Sequence, residues 1–263
     1  MIISTGDISK ILSSKTGKAS ISPDIGMTSA EASVEGGSVI IRDQKIPLSD
    51  LKKIRDDKSC YIVEDGKLHK VQFFSEKTGY VYKLIPTSYR PILKISGTSM
   101  HKKEFVGMIE RSKLKGKVLD SGTGLGYTAI AASRTAGSVI TIEHDENVIE
   151  IARLNPYSSD IFNKKNIRLI NADVVDEMKS FKASEFDSII LDGGIPTLSG
   201  KFFSLENYSN VYRVLKRNGR LYHYIPSPEV THGRNFQSEV VSRLKNAGFS
   251  RIKRFDSYVI ATK

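Results

Sequence analysis

The chain has 263 residues, with 40 Lys and Arg against 29 Asp and Glu and a formal net charge of +11. That length buries a sizeable core, in one large or two smaller domains. Its one cysteine, Cys60, excludes a disulfide framework and a cysteine zinc site within one chain, and no secretory or membrane-spanning apolar run of about 20 residues is present, so we expect a cytosolic protein.

The first third has a β-rich texture. Ser20 to Lys45 is rich in Ser, Gly and polar residues with alternating apolar positions. Ser59 to Val63 and Leu68 to Phe74 flank Glu64-Asp65-Gly66-Lys67, and Asp-Gly between apolar runs predicts a tight hairpin turn. Tyr80 to Pro86 and Pro91 to Ile95 predict further strands. We expect a small β-rich domain over residues 1–96 and a second domain over 97–263. The first would grip a substrate or cover one face of the second.

The second domain holds the most informative run, Val118-Leu119-Asp120-Ser121-Gly122-Thr123-Gly124-Leu125-Gly126-Tyr127. It predicts a buried strand ending in an acid, a glycine turn, and a helix from Tyr127 to Thr135. A dinucleotide loop is spaced G-x-G-x-x-G and seats a pyrophosphate on the helix N-terminus. Here the spacing is G-x-G-x-G, directly after Asp120. An acid beside the loop suits a cationic ligand such as S-adenosylmethionine (SAM), with its sulfonium and ammonium, better than phosphates.

Val139 to Glu143 predicts a second buried strand ending in an acid. Glu143 lies about 20 residues beyond the glycines, where a doubly wound fold places its ribose-binding acid. Asp145 reads as a cap for the helix starting near Glu146. A third strand, Ile167 to Ile170, leads into Asn171-Ala172-Asp173, and a fourth, Ser188 to Leu191, ends in Asp192. A helix around Tyr208 to Leu215 and a turn over Lys216-Arg217-Asn218-Gly219 precede a fifth strand, Arg220 to Ile225. A helix from Phe236 to Asn246 and strands Ile252 to Phe255 and Tyr258 to Thr262 close the chain. In a parallel sheet the carboxyl ends of the strands share one edge, so Asp120, Glu143, Asp173 and Asp192 should converge on one crevice.

The glycine run resembles motif I of class I SAM-dependent methyltransferases, and the closing strand pair resembles their terminal antiparallel hairpin. From about Ile95 onward the chain resembles a predicted, mainly archaeal family of these enzymes. Ile95-Ser96-Gly97-Thr98-Ser99-Met100-His101, Asn207-Tyr208 to Lys216, and Gly219-Arg220-Leu221-Tyr222-His223-Tyr224 carry that likeness. The resemblance implies an α/β Rossmann-like fold, a mostly parallel sheet and SAM as cofactor. It assigns cofactor binding to Asp120, Ser121, Gly122, Gly124, Gly126, Glu143 and Asp173, the last at the adenine amino group. The family has Asp-Pro-Pro-Arg after the fourth strand, whereas this chain has Asp192-Gly193-Gly194-Ile195-Pro196. The acid is kept and the rigid prolines are lost.

For methyl transfer we expect Asp192 nearest the acceptor, followed by Tyr224 and His223. Adjacent strand residues face opposite sides, so the pocket takes one of Tyr222 and Tyr224, or else His223, and at least one of the tyrosines is expected to pack in the core. His101 would close over the cofactor or cap the next helix. The five histidines show no metal-ligand spacing, and no metal is expected. Residues 201–263 carry 12 Lys and Arg against 4 Asp and Glu. A basic face beside the crevice would suit RNA, tRNA included, and a small-molecule acceptor is the other reading. Two further readings are an aminopropyltransferase of the spermidine-synthase kind and a non-catalytic SAM- or RNA-binding protein.

Overall fold

A computed structural model describes residues 1–55, 58–100, 103–193, 200–225 and 236–263. The chain divides into two compact units, Met1–His101 with Glu150–Tyr157, and Lys102–Ile149 with Ser158–Lys263. Among the described residues no helix is long and apolar enough to cross a membrane.

The first unit is built from short antiparallel sheets. Ile2–Ser4, Cys60–Glu64 and Lys67–Lys70 form one. Asp65 and Gly66, at φ 48° and 71°, make the expected tight turn, with Glu64 opposite Lys67. The run after the turn does not continue as one strand. It breaks at Val71, and Gln72–Ser75 joins a separate meander with Tyr80–Ile85, Ile92–Ile95 and Thr98–Ser99. A third sheet holds Lys18–Ile21, Ala30–Glu35, Ser38–Ile41 and Gln44–Pro47. Its apolar side packs on helices Thr5–Ser13 and Leu48–Lys53 through Ile8, Ile11, Val39, Ile46 and Leu51.

The second unit begins with helix α1 (Lys103–Ser112), strand β1 (Lys117–Ser121), α2 (Tyr127–Ser133) and β2 (Ser138–Glu143). Next in chain order come α3 (Glu146–Leu154), which from Glu150 onward counts with the first unit, α4 (Ser159–Asn163), β3 (Ile167–Asn171), α5 (Val174–Ser180) and β4 (Phe186–Leu191). It ends with α6 (Leu205–Val214), β5 (Leu215–Tyr224), α7 (Phe236–Asn246), β6 (Ser250–Arg254) and β7 (Tyr258–Thr262). The seven-stranded sheet runs β3-β2-β1-β4-β5-β7-β6. β3, β2, β1, β4 and β5 are parallel, and β7 is antiparallel to both β5 and β6. This is the Rossmann-like class I methyltransferase sheet with its terminal antiparallel strands.

Both faces of the sheet are covered, which is why its central strands read as unbroken apolar runs. One face packs Leu119, Ile140, Ile142, Ile189, Leu191 and Leu221 against α5, α6 and α7. Each such buried aliphatic side chain contributes about 1.5–3 kcal/mol. The opposite face carries the alternate residues, among them Asp120, Thr141, Glu143 and Tyr224, and Phe105 of α1 meets the Tyr224 ring edge-on at 5.6 Å.

One expected turn is part of a strand. Lys216 to Gly219 lie inside β5, yet Leu215 is opposite Phe186 and Arg220 is opposite Ser188. Residues 216–219 therefore bulge out against Asp187 alone. Asn218 takes the left-handed φ of 64° that the detour needs, and Lys216 Nζ holds both Asp187 oxygens at 2.9 Å.

Candidate functional site

The glycine loop joins β1 to α2 at the carboxyl edge of the sheet. Gly122, Gly124 and Gly126 have φ of 68°, 56° and 77°, a region side chains other than glycine rarely adopt. A Cβ on Gly122 would run into the carbonyl of Asp192, and one on Gly126 into Ile161. The loop thus lies backbone to backbone against the turn that follows β4, and Asp192 N–H donates to Ser121 O at 3.3 Å. The N–H groups of Gly122 and Thr123 donate to Ile142 O at 2.9 and 3.1 Å, which ties the loop to β2 as well.

Asp120 is fully buried at the base of this loop. The Thr141 hydroxyl donates to its Oδ2 at 2.7 Å, and Thr141 and Thr123 share a 2.6 Å hydroxyl contact. Its Oδ1 is buried with no hydrogen-bond partner, and so is the Ser121 hydroxyl. Burial pushes the Asp120 carboxyl up to about 7, and the charges of Asp192 and Glu143 add to the rise.

Glu143, 6% exposed, closes the other side. Gly124 N–H donates to its Oε2 at 3.0 Å and Asp145 N–H to its Oε1 at 3.1 Å. Oε2 keeps a lone pair for a further donor. His144 Nδ1 lies 3.4 Å from Oε1, and the bond to Glu143 raises the His144 pKa. Asp145 accepts from Asn147 N–H at 2.9 Å and caps α3, as expected.

Asp192 is half-buried beside the loop, and burial pushes its carboxyl up to about 7. Tyr224 lies on the same face of the sheet. Burial pushes its hydroxyl up to about 12, with the charges of Asp192 and Glu104 adding to the effect.

Three of the four strand-end acids therefore gather at the glycine loop: Asp120 buried at its base, Glu143 bonded to Gly124 N–H, and Asp192 with its carbonyl against Gly122. Asp173, at the end of β3, is the helix cap of the set. It is exposed and accepts the Val175 and Asp176 N–H groups at 2.7 and 3.4 Å as the N-cap of α5. Its charge, together with those of Glu143 and Asp145, contributes to the raised His144 pKa.

His223 is corrected more strongly. It points to the face opposite Asp192 and is fully buried. Its ring stacks on Phe203 at 5.6 Å, and both nitrogens are hydrogen-bonded, to Tyr208 Oη and Leu191 O. Burial pushes it down to about 4, so it is a neutral packing group at working pH. Tyr222 shares the Tyr224 face but sits nearer the amino edge, where it is buried.

The basic face is displaced too. Arg213 is spent on Phe181 O and Met178 O at 2.7 and 2.9 Å, and Lys216 on Asp187. Arg217 and Arg220 lie at the start of β5, the sheet edge away from the glycine loop. His101, Gly194, Ile195 and Pro196 lie outside the described residues. Sequence reasoning passed over Thr123 and Thr141. Thr141 had a signal, being the one polar residue inside Val139-Ile140-Thr141-Ile142.

The donor set fits a cationic nucleoside. It offers a buried acid with a free oxygen, a loop no side chain could occupy, and a second acid with acceptor capacity left at the end of β2.

The profile of the family described as a methyltransferase domain matches residues 112–249. An uncharacterized protein of Methanocaldococcus jannaschii is 37% identical over 98% of this chain and 94% of its own length. Two shorter matches are a probable cobalt-precorrin-6B C(15)-methyltransferase (decarboxylating) of Thermoplasma volcanium and ribosomal RNA small subunit methyltransferase A of Wigglesworthia glossinidia brevipalpis. The first is 33% identical over 49% of this chain and 65% of the relative; the second, 27% over 65% and 70%. Among solved structures, a spermidine synthase bound to a transition-state analogue superposes with a TM-score of 0.61 at 22% identity, over 77% of this chain and 79% of that one.

Proposed function

Starting from the fact that this chain belongs to the SAM-dependent methyltransferase family, we propose that it methylates RNA, with Asp192 as the residue nearest the acceptor atom. SAM is the cofactor, and when bound it supplies a methyl carbon activated by the sulfonium. Asp120 and Glu143 would hold the cationic nucleoside, Asp120 through charge and Glu143 through the remaining lone pair of Oε2.

The chain's own part in transfer is alignment and proton handling. A carboxyl near 7, as at Asp192, is matched to taking a proton from a ring or exocyclic nitrogen at neutral pH. Tyr224, pushed up to about 12, stays protonated and can donate a hydrogen bond to the acceptor. The spermidine synthase likeness concerns the fold.

The observation that carries the RNA reading is the edge strand β6. Arg251, Lys253 and Arg254 are all exposed along it, and neither Arg251 nor Lys253 makes an ion pair among the described residues. Together with Arg217 and Arg220 at the start of β5 they give this end of the sheet the positive charge that suits a phosphate backbone.

The test is incubation with methyl-labelled SAM and, separately, total RNA and a small-molecule extract. Ribonuclease-sensitive label is expected, with at least a hundredfold loss in Asp192→Asn and unchanged SAM affinity. Label confined to the small-molecule extract overturns the RNA reading. Transfer from decarboxylated SAM to a polyamine would restore the aminopropyltransferase one.

A further inference from the structure

A cleft of about 290 Å³ opens at the amino edge of the sheet, away from the glycine loop. The segment from α1 to β1, the start of β4 and the start of β5 line it. Its rim carries Lys113, Lys115 and Arg220, all exposed, and none makes an ion pair or side-chain hydrogen bond among the described residues. Asn218 joins them. Two hydroxyl residues form the inner wall, Ser188 at 7% and Tyr222 at 2% exposure, and neither side chain has a hydrogen-bond partner among the described residues.

The acid in this wall is already neutralised. Asp187 binds Lys216 Nζ through both oxygens at 2.9 Å and accepts Lys117 N–H at 2.8 Å. Lys113 and Lys115 follow the C-terminus of α1, and the helix dipole accounts for positive charge there. It does not account for Arg220, which belongs to another element, or for two hydroxyl side chains lining the same cleft. Three uncommitted cations, an amide and two hydroxyl donors converging on one cleft form a site for a compact oxyanion. The volume is many times the roughly 30 Å³ of one water, which leaves room for a phosphate and its sugar.

We propose that this cleft binds a phosphate group, held by Arg220, Lys113 and Lys115 and by the hydroxyls of Ser188 and Tyr222. Its favoured source is a backbone phosphodiester of single-stranded RNA, with free phosphate as the other source of the same chemistry. Ser188 lies four residues before Asp192 on the same strand face, roughly 13 Å at about 3.3 Å per residue. The phosphate site stands whether or not the methyl acceptor is RNA.

The test follows backbone amide resonances of the full chain during titration with inorganic phosphate and, separately, with a ten-nucleotide single-stranded RNA. Saturable shifts are expected at Lys113, Lys115, Ser188 and Tyr222. Binding should weaken at least tenfold in Arg220→Ala and in a Lys113→Ala, Lys115→Ala double variant, and measurably in Tyr222→Phe. SAM affinity within twofold of wild type shows that each variant is folded. RNA binding tighter than phosphate and displacing it assigns the phosphodiester; saturation by phosphate alone assigns free phosphate. No saturable shift with either probe, or shifts unchanged in Arg220→Ala, overturns the proposal. Phosphate binding without label transfer to RNA would overturn only the acceptor reading.

Discussion

His223 donates its Nδ1 proton to Leu191 O, 3.1 Å away, and accepts the Tyr208 hydroxyl on Nε2 at 2.9 Å. The carbonyl it holds belongs to the residue just before Asp192. A histidine on the far face of the sheet thus steadies the strand end that carries the acid. Replacing it with Phe leaves the Tyr208 hydroxyl unpaired and should cost about 2–4 kcal/mol in urea denaturation at pH 7.5.

The pH dependence of that cost has a definite sign. His223 titrates at about 4 when folded and near 6.5 when unfolded, so the unfolded chain binds more protons between those values. Its stabilising contribution is complete above pH 6.5 and is lost as pH falls toward 4, by on the order of 3 kcal/mol. The stability gap between wild type and His223→Phe should narrow over that window. A gap constant from pH 7.5 to 4.5 would contradict the neutral buried ring.

Asp120 offers a second pH signature. Its carboxyl, pushed up to about 7, is partly protonated at neutral pH, and a cationic ligand prefers the ionised form. SAM affinity should rise between pH 6 and 8, with proton release detectable by calorimetry in buffers of different ionisation enthalpy. Asp120→Asn should bind at least tenfold more weakly and lose most of that slope.

Gly122 and Gly193 make a paired test of the loop contact. A Cβ at Gly122 meets the Asp192 carbonyl at a left-handed φ, whereas one at Gly193 comes no nearer than 3.4 Å, to Gly122 Cα. Gly122→Ala should abolish SAM binding and lower the melting temperature by several degrees. Gly193→Ala should keep both nearly unchanged, as read by calorimetry and thermal denaturation.

The central strands were legible because a sheet covered on both faces is apolar at nearly every position, as in Val139 to Ile142, where Thr141 is the exception. The acids at their ends were legible for the same reason, standing out at Asp120, Glu143 and Asp192. Strand alternation could separate His223 from Tyr224 but could not say which of them faced the crevice, because that depends on how helices cover each face. Asp173 lay at the correct strand end, yet whether a carboxylate caps a helix or meets a ligand is decided by local backbone geometry. The helix Thr5–Ser13 went unread although Ser4 and Asp7 form a reciprocal cap at its start. Such short helices gain their stability from packing rather than from propensity. The bulge at 216–219 was read as a turn because Asn-Gly does turn the chain there; that the ladder resumes beyond it is a tertiary matter.

Among the described residues the sheet's order leaves β6 with one unpaired side, a row of amides and carbonyls able to template another copy's strand. Arg251, Lys253 and Arg254 surround that open side with like charge, so two copies approaching edge to edge repel each other. The residues that would draw in a nucleic acid thereby also guard the molecule against aggregation.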